Sequence, residues 1–271
     1  MFSEVLIPYR DNDDDVAVHI GAAMAETAGT KATVLMLPPK HDGHTEVDLQ
    51  SCLADIDRVD VIELETRRFQ SDAILSEVRN RPGALICLAS HGRDRAALLT
   101  GSLTNDLLMY GPGSVVLCGP DSTAEAFSGG GPVLAALDGS DKSEVAIPLA
   151  DDWATTLERT LEIVTVLPEK VTSPELAHAL ASGDVHEAGY LENVMRDHGE
   201  LHGHDVTFDV LHGDPEESII EEARTRNASL IVLATHTPLG FDRLLHGSVT
   251  NRIVRHSSAP VLAIRTHETP E

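Results

Sequence analysis

The sequence predicts an α/β fold with two Rossmann-like, open, parallel five-stranded sheets, helices on both faces, and the two sheets paired within one chain as an intramolecular pseudo-dimer. Three observations favour it. The chain has 271 residues, enough for two domains of the usual ~100–150 residues. Short apolar segments alternate with segments of helical periodicity. The same segments also recur, in the same order, in the two halves of the chain.

The internal repeat sets the predicted domain boundaries. The four matching pairs of segments are 5–11 with 133–139, 84–91 with 229–236, 101–105 with 247–251, and 114–117 with 259–262. Small and turn-forming residues between the copies are typical of a linker. We therefore predict a first domain over residues 1–120, a linker over 121–131 and a second domain over 132–271.

Strands and helices alternate within the second copy. Its apolar segments are short and rich in β-branched residues, without clean alternation, which is typical of parallel strands buried on both faces. The predicted strands are 133–137, 161–167, 206–211, 230–234 and 261–264. The predicted helices are 143–155, 191–202, 215–226 and 249–256. Pro148 lies in the early turns of the first helix and is expected to distort it, while Asp214 immediately precedes the third.

The last strand of each copy is expected at a sheet edge. Left open, residues 115–118 and 261–264 would expose apolar strands with unpaired backbone groups. We therefore predict that these two strands pair antiparallel. Two tandem chains are then expected to associate further as a homodimer.

The charge of the chain disfavours several classes of partner. The 44 Asp and Glu against 20 Lys and Arg give a formal net charge of −24. Such a surface repels nucleic acid and anionic lipid, so neither is an expected partner. No stretch approaches the ~20 apolar residues of a membrane helix, and the N-terminal residues do not resemble a signal peptide. The expected location is the cytoplasm.

Cysteine and histidine spacing predicts no metal site. Cys52, Cys87 and Cys118 lack metal-site pairing and are interpreted as reduced, structural residues. His198 and His202 could share a helix face, but no Cys or carboxylate completes a recognisable ligand set.

The sequence also lacks the motifs of common enzymes of this fold class. It has no G-x-x-x-x-G-K-[ST], no G-x-G-x-x-G and no G-x-S-x-G. No catalytic residue is predicted, and any hydrolysis of a bound ligand is expected to be slow and incidental.

A different kind of phosphate site can be built at the strand ends of the second copy. Residues 234–238 follow a strand, and Gly247-Ser248-Val249-Thr250 opens a helix, whose free N–H groups can bind phosphate. Asp138 ends the first strand, where a carboxylate can accept a hydrogen bond from a ribose hydroxyl or an adenine amino group. The same residues also suit a plain turn and a helix cap, and that alternative stays open.

In these segments the chain resembles the universal stress protein (UspA) family in its tandem, two-domain form. The likeness covers nearly the whole chain and is strongest over residues 230–262. The family's ATP-binding members carry G-x2-G-x9-G-[ST] and an Asp after the first strand. The second copy keeps this spacing as Ala234-x2-Thr237-x9-Gly247-Ser248 and retains Asp138. The resemblance implies a Rossmann-like ATP-binding fold and a role in stress response without strong catalysis.

The first copy departs further from the family pattern. Its frame is Ala89-x2-Gly92-x8-Gly101-Ser102, one residue short, and Arg10 stands in place of the Asp. The adenine end of this copy is therefore altered, whereas its phosphate end is better preserved.

The resemblance implies a set of nucleotide-contacting residues in each copy. In the second copy they are Ala136, Leu137, Asp138, Val166, Leu233, Ala234, Thr237, Gly247, Ser248, Val249 and Thr250. In the first, weaker site they are Pro8, Leu37, Gly92, Gly101 and Ser102.

The leading interpretation is a cytoplasmic stress protein whose second domain binds ATP, with or without Mg²⁺, as a regulatory or structural ligand. One alternative is a scaffold without nucleotide that acts through protein partners, which the replaced glycines favour. Another is a hydrolase or nucleotidyltransferase of a related superfamily, which would need a catalytic motif that the sequence lacks.

Overall fold

The computed structural model describes residues 2–38, 49–54, 56, 58–64, 70–90, 106–107, 110–111, 113–167, 205–236 and 248–266. The strands are β1 (Glu4–Tyr9), β2 (Lys31–Met36), β3 (Val59–Glu63), β4 (Ala84–Ala89), β5 (Ser114–Cys118), β6 (Val133–Leu137), β7 (Leu161–Leu167), β8 (Val206–His212), β9 (Leu230–His236) and β10 (Val261–Thr266). The α-helices are α1 (Asp15–Thr27), α2 (Leu49–Cys52), α3 (Gln70–Asn80), α4 (Ala124–Ser128), α5 (Ala146–Leu157), α6 (Pro215–Arg226) and α7 (Ser248–His256). Short 3-10 turns, Asn12–Asp14 and Ser143–Val145, precede α1 and α5.

One ten-stranded sheet joins the two copies. Its strand order is β3-β2-β1-β4-β5-β10-β9-β6-β7-β8. All pairs within a half are parallel, and both halves repeat the same order. The predicted antiparallel pairing of the two last strands is confirmed, with Val261 opposite Leu117 and Ile264 opposite Ser114.

Apolar side chains pack on both faces of this sheet. Successive residues of a strand point to opposite faces, so Val5 and Ile7 join one core cluster while Leu6 joins the other. The first cluster includes residues of α1 and α5, and the second includes residues of α3, α6 and α7. This arrangement confirms the prediction of helices on both faces.

The predicted elements of the second copy form with small differences at their ends. Strands 133–137 and 161–167 and helix 215–226 have the predicted bounds, while β8, β9 and β10 run one or two residues longer. The helix predicted over 143–155 begins as a 3-10 turn and continues as α5 to Leu157. Pro148 lies in the first turn of α5, where a missing N–H removes no helical hydrogen bond. The helix predicted over 191–202 lies outside the described residues.

The predicted linker contains a helix that the composition did not indicate. Thr123 caps α4 by accepting a hydrogen bond from the Ala126 N–H at 3.0 Å. Phe127 is fully buried and meets Trp153 edge-on, with ring centroids 5.9 Å apart. The Thr123 N–H also donates to the carbonyl of Ser258, just before β10. The linker is therefore part of the core between the two copies.

Replacing Phe127 with Ala should lower the free energy of unfolding by about 3–5 kcal/mol, because it removes a buried ring and leaves a cavity. Urea denaturation measures the change. Tyr110→Ala is the control, since this ring is 66% exposed and its loss should cost about 0.5 kcal/mol or less. Equal effects of the two substitutions would show that α4 is not part of the core.

Candidate functional site

The strand order of the second copy reverses between β6 and β9, which is where ligands bind in open α/β sheets. Ala136 of β6 lies opposite Leu233 of β9. On the other side, Leu137 lies opposite Thr165, so Val166 follows at the same end of β7. The register therefore brings the strand ends named from the sequence to one edge of the sheet.

Four of the predicted residues form a shared apolar wall at this edge. Ala136, Val166 and Leu233 are buried in one core cluster, and Val249 of α7 packs against it. Leu137 belongs to the cluster on the opposite face, so its side chain is separated from this wall by the sheet.

Asp138 lies directly beyond β6 with an exposed side chain. Its Oδ1 accepts hydrogen bonds from the Ser140 N–H at 3.0 Å and from Ser140 Oγ at 2.6 Å. Gly139 between them has a φ of +81°, a conformation that favours glycine. The turn foreseen from the sequence thus forms, and it holds the carboxylate at the rim of the apolar wall.

The phosphate end is described in part. Ser248 begins α7, and Thr250 in its first turn is buried. Ala234 is half-buried near the end of β9. Thr237 and Gly247 lie outside the described residues.

The loop before α6 borders the same edge. The Gly213 N–H donates to the carbonyl of Leu167 at 3.0 Å, so this loop crosses the end of β7 beside Val166. Asp214 then caps α6, accepting from the N–H groups of Glu216 and Glu217 at 3.1 Å each.

Arg252 is a feature of this region that the sequence reasoning missed. It lies one turn into α7 and donates to Glu216 at 2.9 Å and to Glu217 at 2.9 Å. These bonds tie α7 to the first turn of α6. The spacing from Ser248 could have marked Arg252 as close to the helix start, but its partners are distant in sequence.

The first copy has a different rim. Pro8 lies opposite Leu35, and the Leu37 N–H donates to the Tyr9 carbonyl at 2.7 Å. The backbone N–H of Arg10, which follows β1, donates to Asp14 Oδ2 at 2.6 Å. Gly92, Gly101 and Ser102 lie outside the described residues.

A cluster of three carboxylates, of which only Glu162 is buried, lies at the opposite end of the strands of the second half, near the start of β7. Oxygens of Glu162, Asp209 and Glu222 lie within 4.8 Å of one another. Arg226 lies among them, with its Nε 2.7 Å from Glu222 and 3.5 Å from Glu162. Burial raises the pKa of Glu162 to about 7, against the opposing effect of Arg226. The guanidinium offsets part of the negative charge of the three acids, which makes the described residues of this cluster an ion-pair network around Arg226. His198 and His202, weighed above as metal ligands, lie outside the described residues.

The cysteines are free, buried thiols, as predicted. Burial is the main cause that raises the pKa of Cys52 to about 12, with Asp15 adding to it, and burial also raises the pKa of Cys118. These two thiols are therefore poor nucleophiles, because the thiolate is the reactive form. Among the helices that the structure describes, none is long and apolar enough to cross a membrane.

Comparison with known proteins points to one family. The model of the universal stress protein family matches residues 131–265. A universal stress protein of Mycolicibacterium smegmatis is 30% identical over 170 residues, covering 62% of this chain and 56% of that protein. A Staphylococcus aureus protein named as a universal stress protein is 31% identical over 150 residues, covering 51% of this chain and 86% of that protein.

Solved structures share the fold over nearly the full chain. A universal stress protein from Archaeoglobus fulgidus aligns with a TM-score of 0.64 at 17% identity, covering 97% of this chain and 98% of its own. A Pseudomonas aeruginosa protein described as a universal stress protein aligns with a TM-score of 0.63 at 19% identity, covering 97% and 93%. The fold of this chain is thus one that other proteins also adopt.

The carboxylate cluster predicts a pH dependence of stability. The folded-state pKa of Glu162 lies above its ordinary value of 4.5. The protonated side chain therefore contributes to the free energy of unfolding in full below pH 4.5, and this contribution is lost as the pH rises through about 7. Glu162→Gln cannot ionise and should lose less unfolding free energy than the wild type between pH 5 and pH 8. Urea denaturation at both pH values measures this. Glu125→Gln, at an exposed position, should keep the wild-type trend, and the same trend in Glu162→Gln would contradict the assignment.

Proposed function

The chain belongs to the universal stress protein family, and from this premise we propose that its second copy, residues 132–271, binds ATP or a related adenine nucleotide. The nucleotide acts as a regulatory or structural ligand of a cytoplasmic stress-response protein. The observation that carries the proposal is the meeting of Ala136, Val166, Leu233 and Val249 at the strand-order reversal, with Asp138 at the rim.

This geometry suits an adenine nucleoside. The apolar wall offers a surface for the flat base, while the small side chains of Ala136 and Ala234 let a ligand approach the strand ends. Asp138 can accept hydrogen bonds from ribose hydroxyls. The first turn of α7 presents backbone N–H groups to phosphate, as helix N-termini do. Mg²⁺ would be held chiefly by the phosphates and water, as is usual for this ion.

Hydrolysis is not part of the proposal. Phosphoryl transfer requires a positioned nucleophile and cations on the transferring group. Arg252, a base in the described part of this region, is engaged by Glu216 and Glu217. The first copy contributes a weaker site at most, because Arg10 stands where the second copy has Asp138.

A scaffold without nucleotide, acting through protein partners, is the second candidate. It is favoured by Ala234 and Thr237 standing where the family's ATP-binding members have glycine. Mass spectrometry of ligands released from the purified protein separates the two candidates. Adenine nucleotide at a substantial fraction of one per chain supports the proposal, and a ligand-free protein that also fails to bind added ATP supports the scaffold.

Asp138→Ala should remove most of the bound nucleotide, because the second site dominates and loses its ribose acceptor. The ATP:protein ratio after gel filtration measures it. Asp205→Ala is the control, an exposed acid at the opposite end of the strands. Ser140→Ala removes one bond to Asp138 and should keep the nucleotide. If Ser140→Ala lost as much bound nucleotide as Asp138→Ala, the role of Asp138 would be to hold the turn and not to bind the nucleotide.

The net charge of −24 predicts an unusual salt dependence. The long-range field repels ATP, so binding depends on short-range N–H donors and on charge cancellation by Mg²⁺. At 0.1 M salt the Debye length falls to about 10 Å and screens this repulsion. ATP affinity should therefore rise with Mg²⁺ and should not fall between 20 and about 150 mM NaCl. Calorimetric titration tests both trends; tight, Mg²⁺-independent binding that weakens steeply with salt would contradict this account.

A further inference from the structure

A cavity of about 220 Å³ lies where the two copies meet. The first copy contributes Phe2 and the starts of β4 and β5, and the second contributes one side of α5, from Leu149 through Trp153 to Thr156. We call it the Trp153 cavity. Trp153 and Leu85 belong to the core cluster on the face opposite the apolar wall of the nucleotide site. The two regions are therefore separated by the sheet.

The internal repeat places the Trp153 cavity, beside α5, in correspondence with a space beside α1. The linker helix α4 occupies that space beside α1. Thr156 Oγ1 donates to the Asp152 carbonyl at 2.7 Å in α5, as Thr27 Oγ1 donates to the Ala23 carbonyl at 2.9 Å in α1. The two helices therefore correspond. The linker helix α4 packs against α1, close to the start of β10. The corresponding space beside α5 lies close to the start of β5. In the part of the chain that the structure describes, no helix occupies this space, and it forms the Trp153 cavity.

The lining of the cavity favours an aromatic ligand. Phe2 stacks on Trp153 at a tilt of 30° with centroids 5.3 Å apart, and Phe127 meets the same indole edge-on. Phe2, Leu85 and Leu149 supply the remaining large apolar surface. A dry apolar cavity of about 150 Å³ can hold benzene, so this volume suits one substituted ring.

The charge at the rim favours a cation. Among the described residues that line the cavity, Asp152 is the one charged residue, and its side chain is exposed. The residue that corresponds to Asp152 in α1 is Ala23. The first copy therefore has no carboxylate at this position, and the charge is a feature of the Trp153 cavity alone. The net charge of −24 adds a field that attracts cations.

We propose that the Trp153 cavity is a binding site for a small aromatic cation, whose ring lies against Trp153 and whose ammonium group pairs with Asp152. The proposal does not depend on nucleotide binding by the second copy.

Benzylamine is the probe, and benzyl alcohol is its neutral analogue of nearly equal shape. Trp153 is the single tryptophan of the chain, so its fluorescence reports directly on the cavity. Benzylamine should change this fluorescence saturably and bind about three- to five-fold more tightly than benzyl alcohol at low salt, which is the size expected for one solvent-exposed ion pair. Asp152→Asn should abolish the difference between the two compounds, whereas Asp141→Asn, at an exposed position ahead of α5, should preserve it.

Leu149→Phe fills the cavity and should abolish the response to both compounds. Asp152→Asn changes only an exposed group, so it keeps the proposal testable should Leu149→Phe fail to fold. A response that does not saturate, equal affinity for amine and alcohol in the wild type, or an unchanged preference in Asp152→Asn would overturn the proposal. So would light scattering that shows a dimer which benzylamine does not dissociate but Leu149→Phe does, because a second copy of the chain would then occupy the cavity.

Discussion

The antiparallel contact between β5 and β10 governs the rest of the architecture. Val116, Leu117, Val261 and Leu262 are buried there, so two strands that would otherwise be exposed apolar edges become the centre of one sheet. The contact is antiparallel, whereas the described strand pairs within each half are parallel. The carboxyl ends of the strands in the two halves therefore point in opposite directions. The rims formed by Arg10 and Asp138 are therefore far apart along the strand direction, and one ligand cannot bridge them within a chain. The two copies therefore share one sheet, but their candidate ligand sites lie at opposite ends of the strands.

The two copies are more alike in the packing of their apolar side chains than in the arrangement of their charged side chains. Each buries a carboxylate near the amino ends of its strands, beside an arginine at the C-terminal end of a helix: Arg81 directly follows α3, and Arg226 is the last residue of α6. In the first copy Glu4 pairs with Arg81 at 3.2 Å and with Lys31 at 3.3 Å, and in the second Glu162 pairs with Arg226. In the second copy, Asp209 and Glu222 share this arginine with Glu162; burial is the largest cause of the raised pKa of Glu162, and the two neighbouring acids add to it. Apolar packing tolerates such changes because the sheet and helices are held by the core on both faces.

The sequence predicted those parts of the fold whose signals are local. Strand 133–137 and helix 215–226 were identified because double-sided burial and an Asp-Pro helix start are visible in a few adjacent residues. The helix α4 was not, since its Gly- and Ser-rich surroundings indicate a linker and the burial of Phe127 depends on both copies being assembled. At the candidate site, Ala136, Val166 and Leu233 meet as expected because parallel strands end at a common edge. Leu137 differs because strand alternation turns its side chain to the other face, and the link from Arg252 to Glu216 joins residues that no local spacing relates.

The connection that follows β6 links the two proposed sites. β6 ends at Asp138, the Asp138–Ser140 turn leads into the 3-10 turn Ser143–Val145, and α5 continues to Trp153. A helix packed along its length is stiff, because close-packed interiors transmit displacement and do not absorb it. A ligand that changes the Asp138 turn would therefore act on the start of the same helix whose residues from Leu149 to Thr156 line the Trp153 cavity. Coupling between the sites requires each ligand to prefer one arrangement of α5, and it would then be reciprocal: nucleotide would alter affinity for the aromatic cation by the same factor as the cation alters affinity for nucleotide.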